Sequence, residues 1–536
     1  MRALRHGIEE AFRRQAQGTL APVALLALAC LAAYGGSLAN GFVLDDHQAI
    51  LDNPLVMDPG RALEAFSHRW QVDSDAYRVY RPLTTITLAL QRALHGPQAP
   101  WFHAGNLLLH LGACLAVLAL GRVLWPDRRL AALLGALLFA VHPLHSDAVS
   151  SIANRSEVLA TTFSILAFLA FRRWLLGGRR PFLLATSVAW FAGLLAKESA
   201  GPLLVFTGLW LLPRDHRGRP LGPAIGGFLA AFLPSLAAAI ALRIHALGGT
   251  IDPGPLHYFA GVPWGTTIWT WLSIMGRYLW LMVVPHPLST DYSYESIPLV
   301  SSPWDLGAAW GVLALGAVLA ATPWLLTRDD PDRRSAGWAL AWTAVFLLPA
   351  THLVPLMIPM AERLAYGASV GVHLLGGLGL AWVWHARRRT APVLVMGLLL
   401  LLAAATAIRD RDWRDDRTIA MATLRVFPRN ALMWANLGMA RAREGDGPGA
   451  VLAMHRAIEI APAKWEFRLA LARLLHDSGL HQDEADVLFN GLAFVPRTED
   501  RLARTCEAYR EVRPTLAPED CRGRLLQRQH PLSGPP

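Results

Sequence analysis

Two adjacent carboxylates, Asp45 and Asp46, stand just behind an apolar run at 20–38 that is long enough to cross a bilayer as a helix. Neighbouring acids repel each other, and desolvating them at the exit of a membrane helix is costly. Chemistry on a substrate delivered at the membrane surface repays such a cost. One carboxylate would act as general base toward an acceptor hydroxyl, and the other would orient it or tune its pKa. Taken alone, the pair also suits two solvated loop aspartates that cap the next helix.

Four further groups can contribute to such a site. His142-Pro143-Leu144-His145-Ser146-Asp147 and Asn154-Arg155-Ser156-Glu157 flank one loop. Ser156 or Asn154 can cap the helix that follows, and Glu157 suits its N-terminal dipole. The spacing H-x-x-H-x-D matches no common metal site, so no metal is expected, and a role in shaping a pocket fits better. Lys197-Glu198 lies between two apolar segments with essentially no loop, as an ion pair or as a headgroup contact. Glu362-Arg363, followed by Tyr366, opens another span, and arginine can grip two phosphate oxygens at once. Asp291-Tyr292-Ser293-Tyr294-Glu295 is an acidic and aromatic cluster that suits a sugar or an interfacial belt. No glycine-rich phosphate loop, zinc finger or nucleophile elbow is present.

The elements that must position these residues are helical and membrane-bound. The 536 residues are 53% hydrophobic and 17% charged, too apolar for a soluble globule. Candidate spans fall near 20–38, 104–124, 130–145, 157–174, 181–196, 200–213, 222–243, 305–326, 336–350, 366–384 and 391–408, about eleven in all. The stretch 264–286 does not fit the alternation and reads as interfacial, re-entrant or paired with a missed span. The net charge of +10 is carried almost wholly by arginine, the two lysines being Lys197 and Lys464. Arg128-Arg129, Arg172-Arg173, Arg179-Arg180, Arg214 to Arg219, Arg333-Arg334 and Arg387 to Arg389 sit between spans, as cytoplasmic loops do under the positive-inside rule. That gives the basic charge a home without nucleic acid. It puts residues 1–19 inside and the loops 40–100, 142–156, 197–199, 244–304 and 351–365 outside. Although Ser37-Leu38-Ala39 could be cut, the long charged leader argues against a cleaved signal peptide. In the first outer loop, Asp58-Pro59 reads as a helix start, with Leu63, Phe66 and Trp70 following as in a helix on the membrane surface.

Past residue 408 the apolar runs stop. Residues 409–429 read as a linker, 430–513 as a repeat domain and 514–536 as a terminal tail. Trp434, Leu437, Gly438, Ala450, Met454, Ala457 and Pro462 follow the tetratricopeptide (TPR) pattern, with Met454 replacing an aromatic and Arg441 a tyrosine. Leu471, Ala472, Leu475, Leu488 and Pro496 repeat it more loosely, and a degenerate unit near 500–513 would cap it. Each repeat buries its apolar face on a neighbour, so two alone are marginal. Cys30 and Cys114 read as packing residues. Cys506 and Cys521 can pair if the tail faces an oxidising compartment.

The ordered motifs FVLDDHQAILDNP (42–54), YRPLTT (80–85), HPLHSDAVSSIANRSEVLA (142–160), AKES (196–199), DYSYESIPLV (291–300) and ERLAYGASVG (362–371), with the helical tail behind them, resemble the transmembrane-and-tetratricopeptide O-mannosyltransferase family of GT-C membrane glycosyltransferases. The resemblance implies an all-α, polytopic fold and a polyprenyl-phosphate-linked sugar as donor, with no cofactor. Asp45 or Asp46 would be the base for an inverting displacement. Arg363, Lys197, Arg155 or Arg81 would neutralise the departing lipid phosphate. His142, His145, Asp147, Glu157, Glu198, Glu362, Tyr366 and Asp291 would line the pocket. The partners would be the membrane lipid carrier and a protein or glycan acceptor presented by the TPR tail. A compact, prokaryote-like chain of this kind would sit in a bacterial inner membrane with site and tail on the periplasmic side. The competing readings are a non-catalytic TPR scaffold and a lipid-linked transporter.

Overall fold

In the computed structural model the described residues are 20–70, 79–213, 219–248, 258–259, 261–293, 296–353, 356, 358–386, 390–492, 494 and 498–512. The N-terminal segment 1–19, Tyr294 and Glu295, Arg387 to Arg389, Pro496, Cys521 and the tail 514–536 lie outside them. The described residues form helices and no strand. The chain divides into two compact units. One holds residues up to 290 together with 298–415, and the other holds 291–297 and everything from 416 onward.

The first unit is a bundle. Its helices are α1 (Leu20–Tyr34), α2 (Pro82–His95), α3 (Ala99–Leu124), α4 (Arg129–Val141), α5 (Arg155–Leu175), α6 (Arg180–Ala196), α7 (Pro202–Trp210), α8 (Leu221–Ala246), α9 (Trp264–Leu281), α10 (Leu306–Leu326), α11 (Pro331–Phe346), α12 (Ala365–Ala386) and α13 (Ala391–Asp410). Seven of the helical segments are long and apolar enough to cross a membrane, or eight if α4 and the bent turn after it count as one span. Each of the eleven stretches expected to span is helical, although α6, α7 and α11 are short. Apolar side chains on all faces fit burial in protein or lipid, and prolines and aspartates mark the breaks. Asp305 caps α10 through the amides of Gly307 and Ala308, and Asp330 caps α11 through Arg333 N.

α4 is the core of the bundle. Every residue from Ala131 to Val141 is buried, against α1, α3 and α12. The contact with α12 is a backbone approach: a Cβ on Gly377 would lie 2.3 Å from the Ala131 carbonyl and 2.3 Å from Gly135 N. Small residues allow such proximity, and in lipid that packing is what holds helices together.

α9 covers the stretch that broke the alternation, and it is not among the seven spans. Thr270 accepts from Val300 N at 2.8 Å, Trp310 donates to the Gly276 carbonyl, and the Tyr278 hydroxyl donates to the Ala361 carbonyl at 3.1 Å. Val300 and Ala361 both lie outside the helices, so α9 is tied to two loops as well as to α10. Asp58 caps a single tight helix at 59–66 with Pro59 in its first turn, as expected. Leu63 stays 73% exposed, whereas Trp70 lies beyond the helix and is buried. The apolar spacing therefore does not continue as one surface helix.

The second unit contains α14 (Asp416–Val426), α15 (Ala431–Arg443), α16 (Gly447–Ile460), α17 (Trp465–Asp477), α18 (His481–Gly491) and α19 (Glu499–Val512). Residues 409–429 are not a linker: α13 runs on to Asp410 and α14 fills 416–426, packed on α15. Ala435, Met454, Ala457, Leu471 and Leu475 share one core, while Leu488, Leu502 and Cys506 share the next. Arg441, in the expected tyrosine position, donates to the Gly449 carbonyl at 3.1 Å and so ties α15 to the start of α16.

Leucine at Gly377 should overpack the α4–α12 contact at a cost of about 1–3 kcal/mol. The thermal unfolding midpoint of Gly377→Leu in detergent should fall by several degrees. Gly379→Leu, where a Cβ meets nothing within 4 Å, should leave it unchanged.

Candidate functional site

The segment carrying the acidic pair is bent into place. Leu44 has φ +50°, a left-handed backbone that a branched side chain adopts only at a cost. The kink sends the two carboxylates different ways. Asp46 is fully buried. One of its oxygens accepts from Ala153 N at 2.7 Å, the other from Val43 N at 3.2 Å. Asp45 is exposed and makes no hydrogen bond among the described residues. Burial pushes the Asp46 carboxyl up to about 7; the two amides pull it down, and the Asp45 charge pushes it further up.

Around Asp45 lies a recess of charge. Arg81 feels Glu198, Glu157, Arg363 and Asp45, and Arg363 feels Asp147, Asp45 and Glu157. Arg363 is anchored on Asp147, whose Oδ2 accepts from its backbone N at 3.0 Å and its Nη1 at 3.4 Å. Asn154 donates to the other Asp147 oxygen at 2.9 Å. Arg81 stands over the Trp70 ring at 4.6 Å, and its Nε is buried with no hydrogen-bond partner among the described residues. A buried, unpaired guanidinium N–H is costly unless an anion completes it. Arg81 and Arg363 can thus serve as phosphate donors.

Lys197 does not pair with its neighbour Glu198. Its Nζ lies 2.6 Å from Glu157 Oε1, both side chains buried, while Ser199 donates to Glu157 Oε2 at 2.6 Å. Burial lowers the Lys197 pKa and the Glu157 charge opposes that. The sequence signal for this pairing is weak, because it joins α5 to the break after α6.

Several expected residues are placed elsewhere. Arg155 is spent on neutral acceptors: Asn106 at 2.9 Å, Gln91 at 2.8 Å and the Phe102 carbonyl at 3.1 Å. It braces α2, α3 and α5 in place of offering its donors to a phosphate. His145, Tyr366 and His142 turn into the bundle. His145 engages the Phe139 carbonyl and the Ser369 hydroxyl, each at 2.8 Å, and Tyr366 bonds His110 at 2.8 Å. His142 packs on His373 with ring centroids 4.5 Å apart. Glu362 is buried and accepts from Ser289 N, fixing the loop before α10. Asp291 is bonded to Asn430 at 2.6 Å within the second unit. Each of these six side chains is engaged by a residue from another segment, His142 by ring packing and the others by hydrogen bonds. Residues not singled out from the sequence matter here: Gln91 and Asn106 as braces, and Asp410, whose Oδ1 accepts from Ser150 at 2.6 Å and steadies the loop that holds Asp46.

His142, His145 and Asp147 do not converge as metal ligands. Among the described residues, two groups have ligand atoms close enough for an ion: buried Cys30, His110 and Cys114, and His476, His481 and Glu484 in the second unit.

Fold and site define a polytopic, all-helical membrane protein with an acid-and-arginine recess at one end of its bundle. The resemblance drawn from its motifs holds in direct comparison. Residues 263–319 match the family profile described as Protein O-mannosyl-transferase TMTC, DUF1736. The chain is 29% identical to human Protein O-mannosyl-transferase TMTC1 over 508 residues, which is 84% of this chain and 56% of that protein. It is 27% identical to Drosophila melanogaster Protein O-mannosyl-transferase Tmtc1, covering 77% of this chain and 58% of that one. For human Protein O-mannosyl-transferase TMTC4 the identity is also 27%, over 80% of this chain and 64% of that one. The chain thus spans little more than half the length of these relatives. Among solved structures it aligns with ArnT from Cupriavidus metallidurans bound to undecaprenyl phosphate at 15% identity and a TM-score of 0.36, over 87% of this chain and 79% of that one.

The Asp46 shift sets a pH dependence. Below its ordinary value of 3.8, folded and unfolded chains both hold the proton. Between 3.8 and about 7 the folded chain keeps a proton that the unfolded chain has released. Stability therefore falls as pH rises through this window, by roughly 4 kcal/mol at most. The thermal midpoint of wild type should drop between pH 5 and 8, and Asp46→Asn should flatten that slope.

The buried ion pair gives a second prediction. Lys197→Met strands the Glu157 charge and should cost about 3–5 kcal/mol. Adding Glu157→Gln should restore most of the lost thermal midpoint.

Proposed function

We propose that the chain is a membrane glycosyltransferase moving a sugar, mannose by its resemblance, from a polyprenyl-phosphate carrier to an acceptor hydroxyl. The reaction proceeds by inverting displacement on the non-cytoplasmic face. The observation that carries this reading is the split between the two aspartates. Asp46 is buried and tied to backbone amides, so it serves as an anchor. Asp45 is open, unpaired among the described residues and next to arginine. A carboxylate so placed can take the acceptor's proton as its oxygen attacks the anomeric carbon. The C–O bond to phosphate breaks as the new one forms, and the lipid phosphate leaves with the electron pair. Arg363 and Arg81 neutralise the charge that develops on it. Lys197 contributes by holding Glu157, and Arg155 by bracing α2 and α3.

The arginine clusters put the recess outside, where a lipid-linked donor meets an acceptor that has crossed the membrane. The second unit would be a TPR module presenting a protein acceptor. The scaffold reading has no use for an open carboxylate held in place by a strained residue.

The purified protein should discharge radiolabelled polyprenyl-phosphate mannose to a protein or peptide acceptor. Asp45→Asn should lower that rate at least about a hundredfold with the unfolding midpoint unchanged. Full activity in Asp45→Asn would sink the assignment of the base, and no discharge from any carrier sugar would favour the scaffold.

A further inference from the structure

The opposite end of the bundle carries a second site that this chemistry does not use. α5 runs its full length, about 30 Å, from Arg155 near the recess to Trp174 at the arginine-rich end. There, between α6 and α8, lies a groove of about 740 Å³. Arg179, Arg180 and Arg219 border its mouth, and Leu183, Leu184 and the glycine face of α8 line its wall. Among the described residues no carboxylate lines it.

The groove is built. Arg219 is fixed by hydrogen bonds from Nε to the Trp174 carbonyl at 2.9 Å and from Nη2 to the Gly178 carbonyl at 2.8 Å. Its guanidinium stacks over the Trp174 ring at 4.7 Å. α8 closes on that ring, since a Cβ on Gly227 would fall 1.9 Å from the indole. Gly226 beside it opens into the groove, where a Cβ would meet nothing within 4 Å. Arg179 and Arg180 stand at the start of α6, where the helix dipole adds to their positive field.

Three guanidiniums at the membrane boundary above an apolar cleft match one class of ligand, an anion joined to a hydrocarbon chain. We infer that this groove binds an anionic diacyl phospholipid from the surrounding leaflet. Its phosphate lies on Arg179, Arg180 and Arg219, and an acyl chain runs along Leu183, Leu184 and Gly226. The three arginines, with no carboxylate among the described lining residues, give charge complementarity, and the groove's volume falls in the range that takes a headgroup with part of one chain.

The test uses the full chain in detergent, with native mass spectrometry after addition of phosphatidylglycerol or phosphatidylcholine. Phosphatidylglycerol should be retained in preference to phosphatidylcholine. Arg179→Gln with Arg180→Gln should weaken retention roughly tenfold, two surface arginines being lost. Gly226→Leu, which fills the cleft and leaves the charge, should weaken it as well. Gly222→Leu, on the same helix with open space around it, should not. Unfolding midpoints of all four proteins confirm that each is folded. Equal retention of the two lipids, or retention unchanged in the Arg179/Arg180 and Gly226 variants, would overturn the site. Displacement of the lipid by millimolar inorganic phosphate would assign the groove to a soluble anion instead and overturn the lipid.

Discussion

A carboxylate without solvent needs donors, and Asp46 finds them in two segments more than a hundred residues apart. Its bonds to Val43 N and Ala153 N join the loop after α1 to the loop before α5. Everything at the open end of the bundle depends on that clamp. The loop from 142 to 157 also supplies Asp147, which seats Arg363, and Glu157, which seats Lys197. Ser150 in the same loop is bound to Asp410 at the end of α13. One loop therefore registers helices from the beginning, middle and end of the membrane unit. Asp147, Ser150, Asn154, Arg155 and Glu157 in this loop all find partners, which is the condition for burying so many polar groups together.

This arrangement separates two jobs that a pair of acids performs badly together. Two carboxylates at one site cannot both stay ionised cheaply. Here one is withdrawn from solvent, which raises its proton affinity, and the amides that hold it offset only part of that rise. The other is left in the recess among arginines. The strained Leu44 is the device that turns them apart. Such strain persists because the clamp on Asp46, two residues on, over-determines the backbone.

How much of this was legible in the sequence depends on the range of the interaction. The spans were, because lipid permits only helices and their apolar runs are long. The acidic pair, Arg363 and the loop at 142–157 were legible as an ordered set of motifs. Partners were not. Lys197 and Glu198 look like an ion pair in one dimension, but Lys197 is extended, with φ −164° and ψ 147°. Successive side chains of an extended backbone point to opposite sides, so Lys197 turns inward to Glu157. Arg155 likewise looks available until Gln91 and Asn106 reach it from α2 and α3. Asp291 sits in a family-like motif yet belongs to the second unit. The helix at 416–426 escaped notice because its composition is polar and its apolar face, Ile419, Ala420, Ala422 and Thr423, is small.

The two ends of the bundle differ in kind. At the recess, cations are paired with acids and offer only what remains, one orphan N–H on Arg81 and the exposed edge of Arg363. Such a site favours a charge that develops during reaction over one that is merely present. At the groove between α6 and α8, the described lining holds three arginines and no acid, and Arg219 is held by neutral carbonyls. Such a site binds a resident anion and has nothing to catalyse with. Pairing of the cations, more than their number, distinguishes a place for chemistry from a place for a lipid.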